Sequence, residues 1–221
     1  MTLLNASVVE VLVADEPSWG WAEGHGSNRV DYLGGGLLYY ALTYMFKARN
    51  CVCLGSGGGF VPKLMAQAHR DLSSSGLLGR SAGDATKVVL VDANVGKWGR
   101  PNWLREDSRF RRDFPEVEIL FKLTADAAAD LAVRGFKIDY LHVDADHSKE
   151  GCLADLNGYL PLMRPDGVLT LHDSAPHRKS VSPDLGVVEA VEEARKSWNL
   201  ETVNLDNVGT GTMVMKCRGR R

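Results

Sequence analysis

Five short, mostly apolar runs, each followed by a helical segment, place the strongest constraint on the fold of this 221-residue chain. Runs that are mostly apolar, rather than strictly alternating, are typical of strands whose two faces are both buried. Two further strand-like runs near the C-terminal end flank a glycine-containing turn. This order predicts an α/β fold with a doubly wound, mostly parallel seven-stranded sheet that ends in an antiparallel hairpin.

The predicted elements divide the chain at about residue 50. The predicted strands are residues 51–54, 87–91, 117–123, 138–143, 167–171, 201–205 and 212–216. The predicted helices are residues 37–47, 60–72, 102–114, 126–133, 148–163 and 187–198. We expect residues 50–221 to form the sheet domain and residues 1–49 to form a helical and loop cap on the same compact unit. The glycine-rich segment 19–26 is interpreted as either a mobile lid or an ordinary surface loop.

Charge and composition exclude several classes of protein. With 26 basic and 28 acidic residues, the chain lacks the broad positive face of a nucleic-acid-binding protein. No stretch is apolar for long enough to cross a bilayer, and no signal-peptide pattern is evident, so we expect a cytoplasmic protein without membrane contact. The four cysteines have neither zinc-knuckle nor disulfide spacing and are expected to be buried free thiols.

Two of the predicted strands end in acid and imidazole. The side chains are Asp144, Asp146 and His147 after strand 138–143, and His172 and Asp173 after strand 167–171. Parallel strands joined by a crossover helix lie side by side, so both endings emerge at one edge of the sheet, where open α/β sheets bind ligands. Burying so many charged groups is unfavourable unless a ligand, a metal or a proton-transfer role compensates. We therefore predict the functional site at this edge.

A glycine-rich loop, residues 55–59, separates the first predicted strand from its helix. Glycines in this position permit a tight turn and a close approach of the backbone to a ligand. Phe60 stands where the dinucleotide pattern requires a third glycine, and the lysine of a phosphate-binding P-loop is absent. Asp92 ends the next strand, where a carboxylate can accept both hydroxyls of a ribose. The alternative role for Asp92 is that of a helix cap.

These motifs together resemble those of the class I S-adenosylmethionine-dependent methyltransferases, which have a Rossmann-like fold. The resemblance covers residues 50–216 and includes the glycine loop, the Val-Asp-Ala sequence at 91–93 and the Thr-Ala-Asp-Ala sequence at 124–127. The sequences at 142–148, 160–168 and 171–173 are more narrowly similar to those of a bacterial small-molecule and sugar O-methyltransferase group. That group is related to the cephalosporin-biosynthesis and macrolide-sugar methyltransferases.

The resemblance implies a cofactor-binding role for eight residues. Gly55, Ser56 and Gly57 would line the methionine part of S-adenosylmethionine, and Asp92 with Ala93 would hold the ribose. Asp126 and Ala127 would lie by the adenine. Asp144 would border the cofactor. The family often has an acid that contacts the methionine ammonium group two residues before the first glycine. Cys53 occupies that position here. Another acceptor must then serve the ammonium group.

The resemblance also implies a catalytic base and a divalent metal. Asp144, His172 and Asp173 stand at the metal-ligand positions of the metal-dependent members. His147 stands where a lysine acts as general base in catechol- and caffeoyl-type enzymes. Magnesium prefers oxygen ligands, whereas the imidazole of His172 would suit manganese, iron or zinc better. His147 is our first candidate for the general base, and His172 is the second if no metal binds. Asp144 is the other expected catalytic residue.

Three of the clustered residues also have a structural interpretation. His147 could cap or pack against a helix, His172 could make a structural hydrogen bond, and Asp146 could cap the next helix. The remaining histidines are expected to be a satisfied core residue, His142, and surface residues, His25, His69 and His177.

We expect a methyltransferase that O-methylates a small hydroxylated metabolite, with a sugar or natural-product scaffold favoured. The expected partner is this small-molecule acceptor, and the sequence is compatible with a homo-oligomer. One alternative is a metal-independent N-methyltransferase of the same fold. Another is a catalytically silent cofactor-binding partner protein, against which the charged cluster speaks. Phe60 disfavours a dehydrogenase.

Overall fold

A computed structural model describes residues 5–13, 33, 35–78, 85–95, 101–176, 183–206 and 210–221. The strands are β1 Asn50–Leu54, β2 Lys87–Val91, β3 Val117–Leu120, β4 Ile138–Val143, β5 Met163–His172, β6 Trp198–Leu205 and β7 Thr212–Arg220. The α-helices are α1 Ala6–Val13, α2 Gly36–Met45, α3 Phe60–Ser74, α4 Arg109–Asp113, α5 Thr124–Val133, α6 Lys149–Tyr159 and α7 Val187–Ala194. Two 3₁₀ turns lie at Asn102–Leu104 and Leu160–Leu162.

The seven strands form one sheet in the order β3-β2-β1-β4-β5-β7-β6. Strands β1 to β5 pair in parallel, and β7 pairs antiparallel with both β5 and β6. This confirms the predicted doubly wound sheet and its C-terminal antiparallel hairpin. The sheet order reverses at β1, which is the place where open α/β sheets form a ligand crevice.

Strand register fixes where that crevice lies. Leu54 pairs with Val91 on one side and with Val143 on the other, and Val143 in turn pairs with Leu171. The four strands therefore reach their carboxyl ends at the same level. The residues that follow them, from the glycine loop to Asp173, emerge together at one edge.

Helices cover both faces of the sheet. Alternate residues of β1 point to opposite faces: Val52 and Leu54 pack against α5, α6 and α7, whereas Cys51 and Cys53 pack against α1, α2 and α3. All four of these β1 side chains have no exposed surface, which explains the continuous apolar run. The four cysteines are free and buried, as predicted.

Three predicted helices differ from the structure at identifiable residues. The helix predicted over 102–114 is interrupted, because the Ser108 side chain accepts a hydrogen bond from the Arg111 N–H and begins the separate helix α4. The helix predicted over 148–163 ends at Tyr159, ahead of Pro161 in the following 3₁₀ turn. The helix predicted to reach residue 198 ends at Ala194, and Trp198 begins β6.

Strands β3 and β5 also have other bounds than predicted. β3 ends at Leu120, and Leu123, which has an extended backbone, immediately precedes the first turn of α5. β5 begins at Met163 and contains a register shift, within which Asp166 has a φ of 65°. The expected turn before residue 167 is therefore an irregularity inside one strand.

In the N-terminal part, the structure shows a helix at the predicted position, α2, and a further helix, α1, that the sequence did not predict. Both contribute side chains to the core on the α3 side of the sheet. Segment 19–26, with its two alternative interpretations, lies outside the described residues, as do His25 and His177. Among the helices described, none is long and apolar enough to span a membrane.

The prediction that His69 is a surface residue is wrong. Its side chain is 5% exposed, and its Nε2 lies 2.7 Å from the carbonyl oxygen of Ala48. Burial lowers the pKa of His69, so it behaves as a neutral core residue that ties α3 to the segment before β1.

Candidate active site

The glycine loop after β1 lies directly against the end of β4. Gly55 has a φ of 68°, and a Cβ at this position would overlap the backbone carbonyl of Asp144. Gly59 has a φ of 91°, and its Cβ would lie 2.6 Å from the Phe110 ring. Both the backbone conformation and the close approach require glycine. The loop can therefore adopt this path only with glycine at positions 55 and 59.

Asp92 holds this loop from the end of β2. Its carboxylate accepts hydrogen bonds from the Ser56 N–H at 3.2 Å and from the Asn94 N–H at 2.6 Å. Burial raises the pKa of Asp92 while these two donors lower it. The carboxylate thus caps its own turn and the glycine loop rather than a following helix. Its expected contact with a ribose stays a prediction.

A cavity of about 560 Å³ lies between the glycine loop and helix α6. Its lining comprises Gly55, Ser56, Gly57, Val91, Asp92, Ala93, Val95, Leu123, Thr124, Asp144, Ala145, Asp146, His147, Gly151, Ala154 and Asp155. Its size is within the range of small-molecule sites. Of the eight residues expected to bind cofactor, six line it. Asp126 and Ala127 do not: Asp126 is exposed, Ala127 is buried in the core, and Leu123 and Thr124 occupy that end of the cavity.

Ser56 and Cys53, near the end of β1, differ in whether the side chain already makes a hydrogen bond. The hydroxyl of Ser56 is buried and has no hydrogen-bond partner among the described residues, so it is available to a group in the cavity. The thiol of Cys53, at the position of the family's acid, donates to the carbonyl oxygen of Gly55 at 3.1 Å. Burial, with the negative charges of Asp144 and Asp92, raises the pKa of Cys53 well above its ordinary value. A neutral, occupied thiol cannot hold an ammonium group.

The acid and imidazole groups of β4 and β5 meet in one cluster centred on Asp144. Its Oδ1 lies 3.0 Å from Nε2 of His147 and 3.0 Å from Nδ1 of His172. Burial alone would raise the pKa of Asp144, but the two histidines outweigh burial and hold it well below its ordinary value. Asp144 is therefore an anion that orients two imidazoles.

His147 bridges both aspartates of the cluster. Its Nε2 faces Asp144, and its Nδ1 lies 3.2 Å from Oδ2 of Asp173. Burial lowers the pKa of His147, yet the hydrogen bond to Asp144 and the charges of both carboxylates raise it overall. His147 is not the cap of α6, since the Ser148 side chain accepts from the Gly151 N–H in that role. The side chain of Asp146 accepts a hydrogen bond from the Ser148 N–H, just before the start of α6.

Asp173 has a φ of 56°, the left-handed region that most side chains avoid. The turn is held by two backbone hydrogen bonds, from the N–H groups of Ser174 and Ala175 to the β7 side of the hairpin, at Gly211 and Thr210. The hydroxyl of Ser174 also donates to Asn204 of β6 at 2.6 Å. A strained residue of this kind, fixed from several sides, is typical of functional sites.

His172 lies on the hairpin side of the cluster and is more buried than His147. Its Nδ1 faces Asp144, and its Nε2 lies 3.0 Å from the hydroxyl of Thr210. The ligand atoms of Asp144, His147 and Asp173 all lie within 4.8 Å of one another, and among the described residues this is the group that could hold a metal ion. The structure thus adds His147 to the predicted ligands Asp144 and Asp173. The third predicted ligand, His172, has its Nδ1 3.8 Å from Oδ1 of Asp173, and its role as a ligand stays a prediction.

His142 lies buried beneath Asp144. Its Nδ1 is 2.9 Å from the hydroxyl of Thr170, but its Nε2 has no hydrogen-bond partner in the described part of the chain and is 4.0 Å from Oδ2 of Asp144. The expectation of a satisfied core histidine is therefore only half right. Burial lowers the pKa of His142 to about 4, so the ring is neutral at physiological pH.

A second cavity, of about 520 Å³, adjoins the cluster from the side of Asp173. It is lined by Asp173, Ser174, Ala175, Pro176, Leu185, Val187, Val188, Glu189, Glu192, Glu193 and Lys196. The first cavity includes Asp144 and His147, and the second includes Asp173. The cluster therefore stands between two spaces of similar size.

Similar folds occur in solved methyltransferase structures. The O-methyltransferase from Bacillus cereus, in complex with SAH, has a TM-score of 0.64 at 16% identity, over 99% of this chain and 93% of that one. The SAH-bound methyltransferase PaMTH1 from Podospora anserina has a TM-score of 0.68 at 13% identity, over 97% of this chain and 88% of that one. A third structure is TomG from Streptomyces achromogenes, an O-methyltransferase involved in tomaymycin synthesis, in complex with SAM. Its TM-score is 0.60 at 16% identity, over 98% of this chain and 100% of that one.

No curated protein sequence matches the chain. The likeness to the solved structures shows the fold, which is that of the class I methyltransferases. A family model described as a methyltransferase domain matches residues 52–174, more than half of the chain, and confirms the family that the motifs predicted. The chain belongs to the methyltransferase domain family.

Proposed function

We propose that the protein transfers a methyl group from S-adenosylmethionine to a hydroxyl group of a small metabolite, with a sugar or natural-product scaffold favoured. One observation carries the proposal: the cluster of Asp144, His147 and Asp173 lies between two cavities. A methyl transfer needs a donor on one side of the reacting groups and an acceptor on the other.

The donor is assigned to the cavity of the glycine loop. Gly55, Ser56 and Gly57 would line the methionine part, where the unpartnered hydroxyl of Ser56 can bond to a polar group of the cofactor. Asp92 and Ala93 would bind the ribose. The acceptor is assigned to the second cavity, whose entrance to the cluster is formed by Asp173.

The reaction is an in-line displacement in which the hydroxyl oxygen bonds to the methyl carbon as the carbon–sulfur bond breaks. The bonding electrons go to sulfur, which leaves as the neutral thioether of S-adenosylhomocysteine. We assign the base role to the neutral form of His147, whose single proton is on Nε2. Its Nδ1 gives up the contact with Asp173 and takes the hydroxyl proton of the acceptor. Nε2–H of His147 remains directed at Asp144, which stabilises the imidazolium that forms. His172, held by Thr210, supports Asp144 from the hairpin side.

A divalent cation is compatible with the same residues. Two carboxylates and one imidazole form a mixed donor set, which suits manganese, iron or zinc better than magnesium. Asp144, His147 and Asp173 would hold it, with His172 as an orienting neighbour of Asp144, and His147 would then be a ligand instead of the base. A cation there supplies charge that lowers the pKa of the acceptor hydroxyl and orients it.

The test is release of S-adenosylhomocysteine from S-adenosylmethionine across sugars, phenols and amines, with and without a chelator. We expect turnover with a hydroxylated acceptor and its loss in the His147→Ala variant. Turnover only with amines, undiminished by chelation, would favour N-methylation instead. Absence of cofactor binding in calorimetry would refute the proposal, and binding without turnover on any acceptor would point to a silent partner protein.

A further inference from the structure

We propose that Asp155 of helix α6 recognises the adenine of the cofactor, its carboxylate accepting a hydrogen bond from the exocyclic amino group. The inference rests on the proposed function, because it takes the first cavity as the S-adenosylmethionine site. It concerns a residue that neither the motifs nor the family resemblance indicated.

Asp155 lies beside Thr124, at the end of the cavity that Leu123 and Thr124 line. Along the sheet edge, the order β4, β1, β2, β3 leads from Asp144 past the glycine loop to Asp92, and then to Leu123 and Thr124. In adenosine the base is attached directly to the ribose. If Asp92 holds the ribose, the adenine lies beyond it, between the β3 end and α6.

Contacts between α5 and α6 fix Asp155 at this end. The hydroxyl of Tyr159, one helical turn after Asp155, donates to the carbonyl oxygen of Thr124 at 2.8 Å. The side chain of Thr124 donates a hydrogen bond to the Asp155 carboxylate. The carboxylate is therefore positioned relative to the residue that follows β3, not free to leave the cavity wall.

The carboxylate of Asp155 is buried without sufficient partners. The residue is 4% exposed, and its Oδ2 has no hydrogen-bond partner among the residues described. Within the same described residues it forms no ion pair, and Asp146 adds a further negative charge nearby. Burial raises the pKa of Asp155 to about 6, which leaves most of it ionised at neutral pH. A buried unpaired acceptor is unfavourable, so a ligand that donates a hydrogen bond would be stabilised there.

The chemistry of this end selects adenine. Val95 and Leu123, which are 70% and 55% exposed, offer apolar surface to the faces of a flat base. A carboxylate only accepts hydrogen bonds, and the ring nitrogens of adenine only accept them too. The exocyclic amino group is the donor of the base, and the broad terminal torsion of aspartate allows either carboxylate oxygen to meet it.

The test compares S-adenosylhomocysteine with S-inosylhomocysteine, which has an oxygen in place of the amino group. Calorimetry should show that the wild-type protein binds the adenosyl ligand more tightly by roughly tenfold or more, since an unpaired buried acceptor faces the oxygen. In Asp155→Asn the amide can donate to that oxygen, so the preference should fall at least tenfold or invert. Glu150→Gln, an exposed change on the same helix, should keep the wild-type ratio.

Two results would overturn the inference alone. One is an unchanged ratio in Asp155→Asn, with both ligands still bound and the melting curve intact. The other is a ratio that changes in Asp126→Asn instead. If the wild-type protein bound neither ligand, the proposed function itself would fail, and this inference with it.

Discussion

The backbone N–H of Gly186 donates a hydrogen bond of 2.8 Å to the carbonyl oxygen of His147. This contact joins the residue before α7 to the residue that bridges both aspartates. A Cβ on Gly186 would overlap the backbone of Lys149, the first residue of α6. The close packing of two helix beginnings thus fixes the position of His147.

Gly186→Ala should therefore displace His147. We expect turnover to fall while cofactor affinity changes little, together with a loss of roughly 1–3 kcal/mol in the free energy of unfolding. Steady-state kinetics, calorimetry and denaturant unfolding measure the three quantities. Gly158→Ala is the matched control, because its Cβ would make an ordinary 3.4 Å contact with Ala128. Equal turnover in both variants would contradict the positioning role of Gly186.

His147→Ala should lower turnover by roughly two to four orders of magnitude, as removal of a general base does. Cofactor affinity should be spared, because the glycine loop and Asp92 remain. Single-turnover kinetics and calorimetry separate the two effects, with Glu150→Gln as the control. A variant that retained wild-type turnover would exclude His147 as the base.

Asp92→Ala should weaken S-adenosylmethionine binding by roughly tenfold or more, since a hydrogen bond to a charged group contributes about 1.5–3 kcal/mol. Part of this loss comes from the glycine loop, whose Ser56 N–H loses its acceptor. Isothermal calorimetry gives the affinity directly. Unchanged affinity would count against any role of Asp92 in the cofactor site.

Asp155→Asn should change the pH dependence of stability in the cofactor-free protein. The folded-state pKa of about 6 lies above the ordinary value of 3.8, so ionisation is less favourable in the folded state. The penalty is absent below pH 4 and complete above pH 6, where it amounts to roughly 2–3 kcal/mol. From pH 4 to pH 7 the variant should therefore gain that much stability relative to wild type. A difference in unfolding free energy that stays constant with pH would contradict the raised pKa.

Manganese binding should distinguish the two histidines of the cluster. His147→Ala removes a group that shares the 4.8 Å set with both aspartates and should weaken binding strongly. His172→Ala removes a neighbour of Asp144 and should weaken it by about 10–100-fold, as loss of an orienting partner does. Calorimetry with Mn²⁺ measures both. A larger loss in His172→Ala would restore the ligand set that the sequence predicted.

What the sequence predicted correctly depends on local patterns. Mostly apolar runs located β1 to β5. The register of the parallel strands then brought Asp144, His147, His172 and Asp173 together. Element ends were less predictable where a single cap decides them, as Ser108 does for α4. Trp198 illustrates the same difficulty, since its apolar side chain fits a helix end or a strand start equally well.

Other parts of the site depend on contacts between distant segments and had no local signal. Thr210 and Asn204 reach the β5 end from the hairpin, and Gly186 reaches His147 from beyond the next loop. Asp155 reads as an ordinary polar residue of an amphipathic helix. Its importance comes from the burial of its carboxylate beside Thr124, which only the packing of α5 on α6 produces.

The bracing of Asp173 by the terminal hairpin has a consequence for biosynthesis. Every residue assigned to the cofactor has been translated once residue 155 is added, whereas Thr210 and Gly211 follow more than fifty residues later. Domains generally fold as units during synthesis. The turn at Asp173 can therefore be held in place only after the hairpin has been synthesised, and a nascent chain that already contains every cofactor residue still lacks the bracing of its reacting groups.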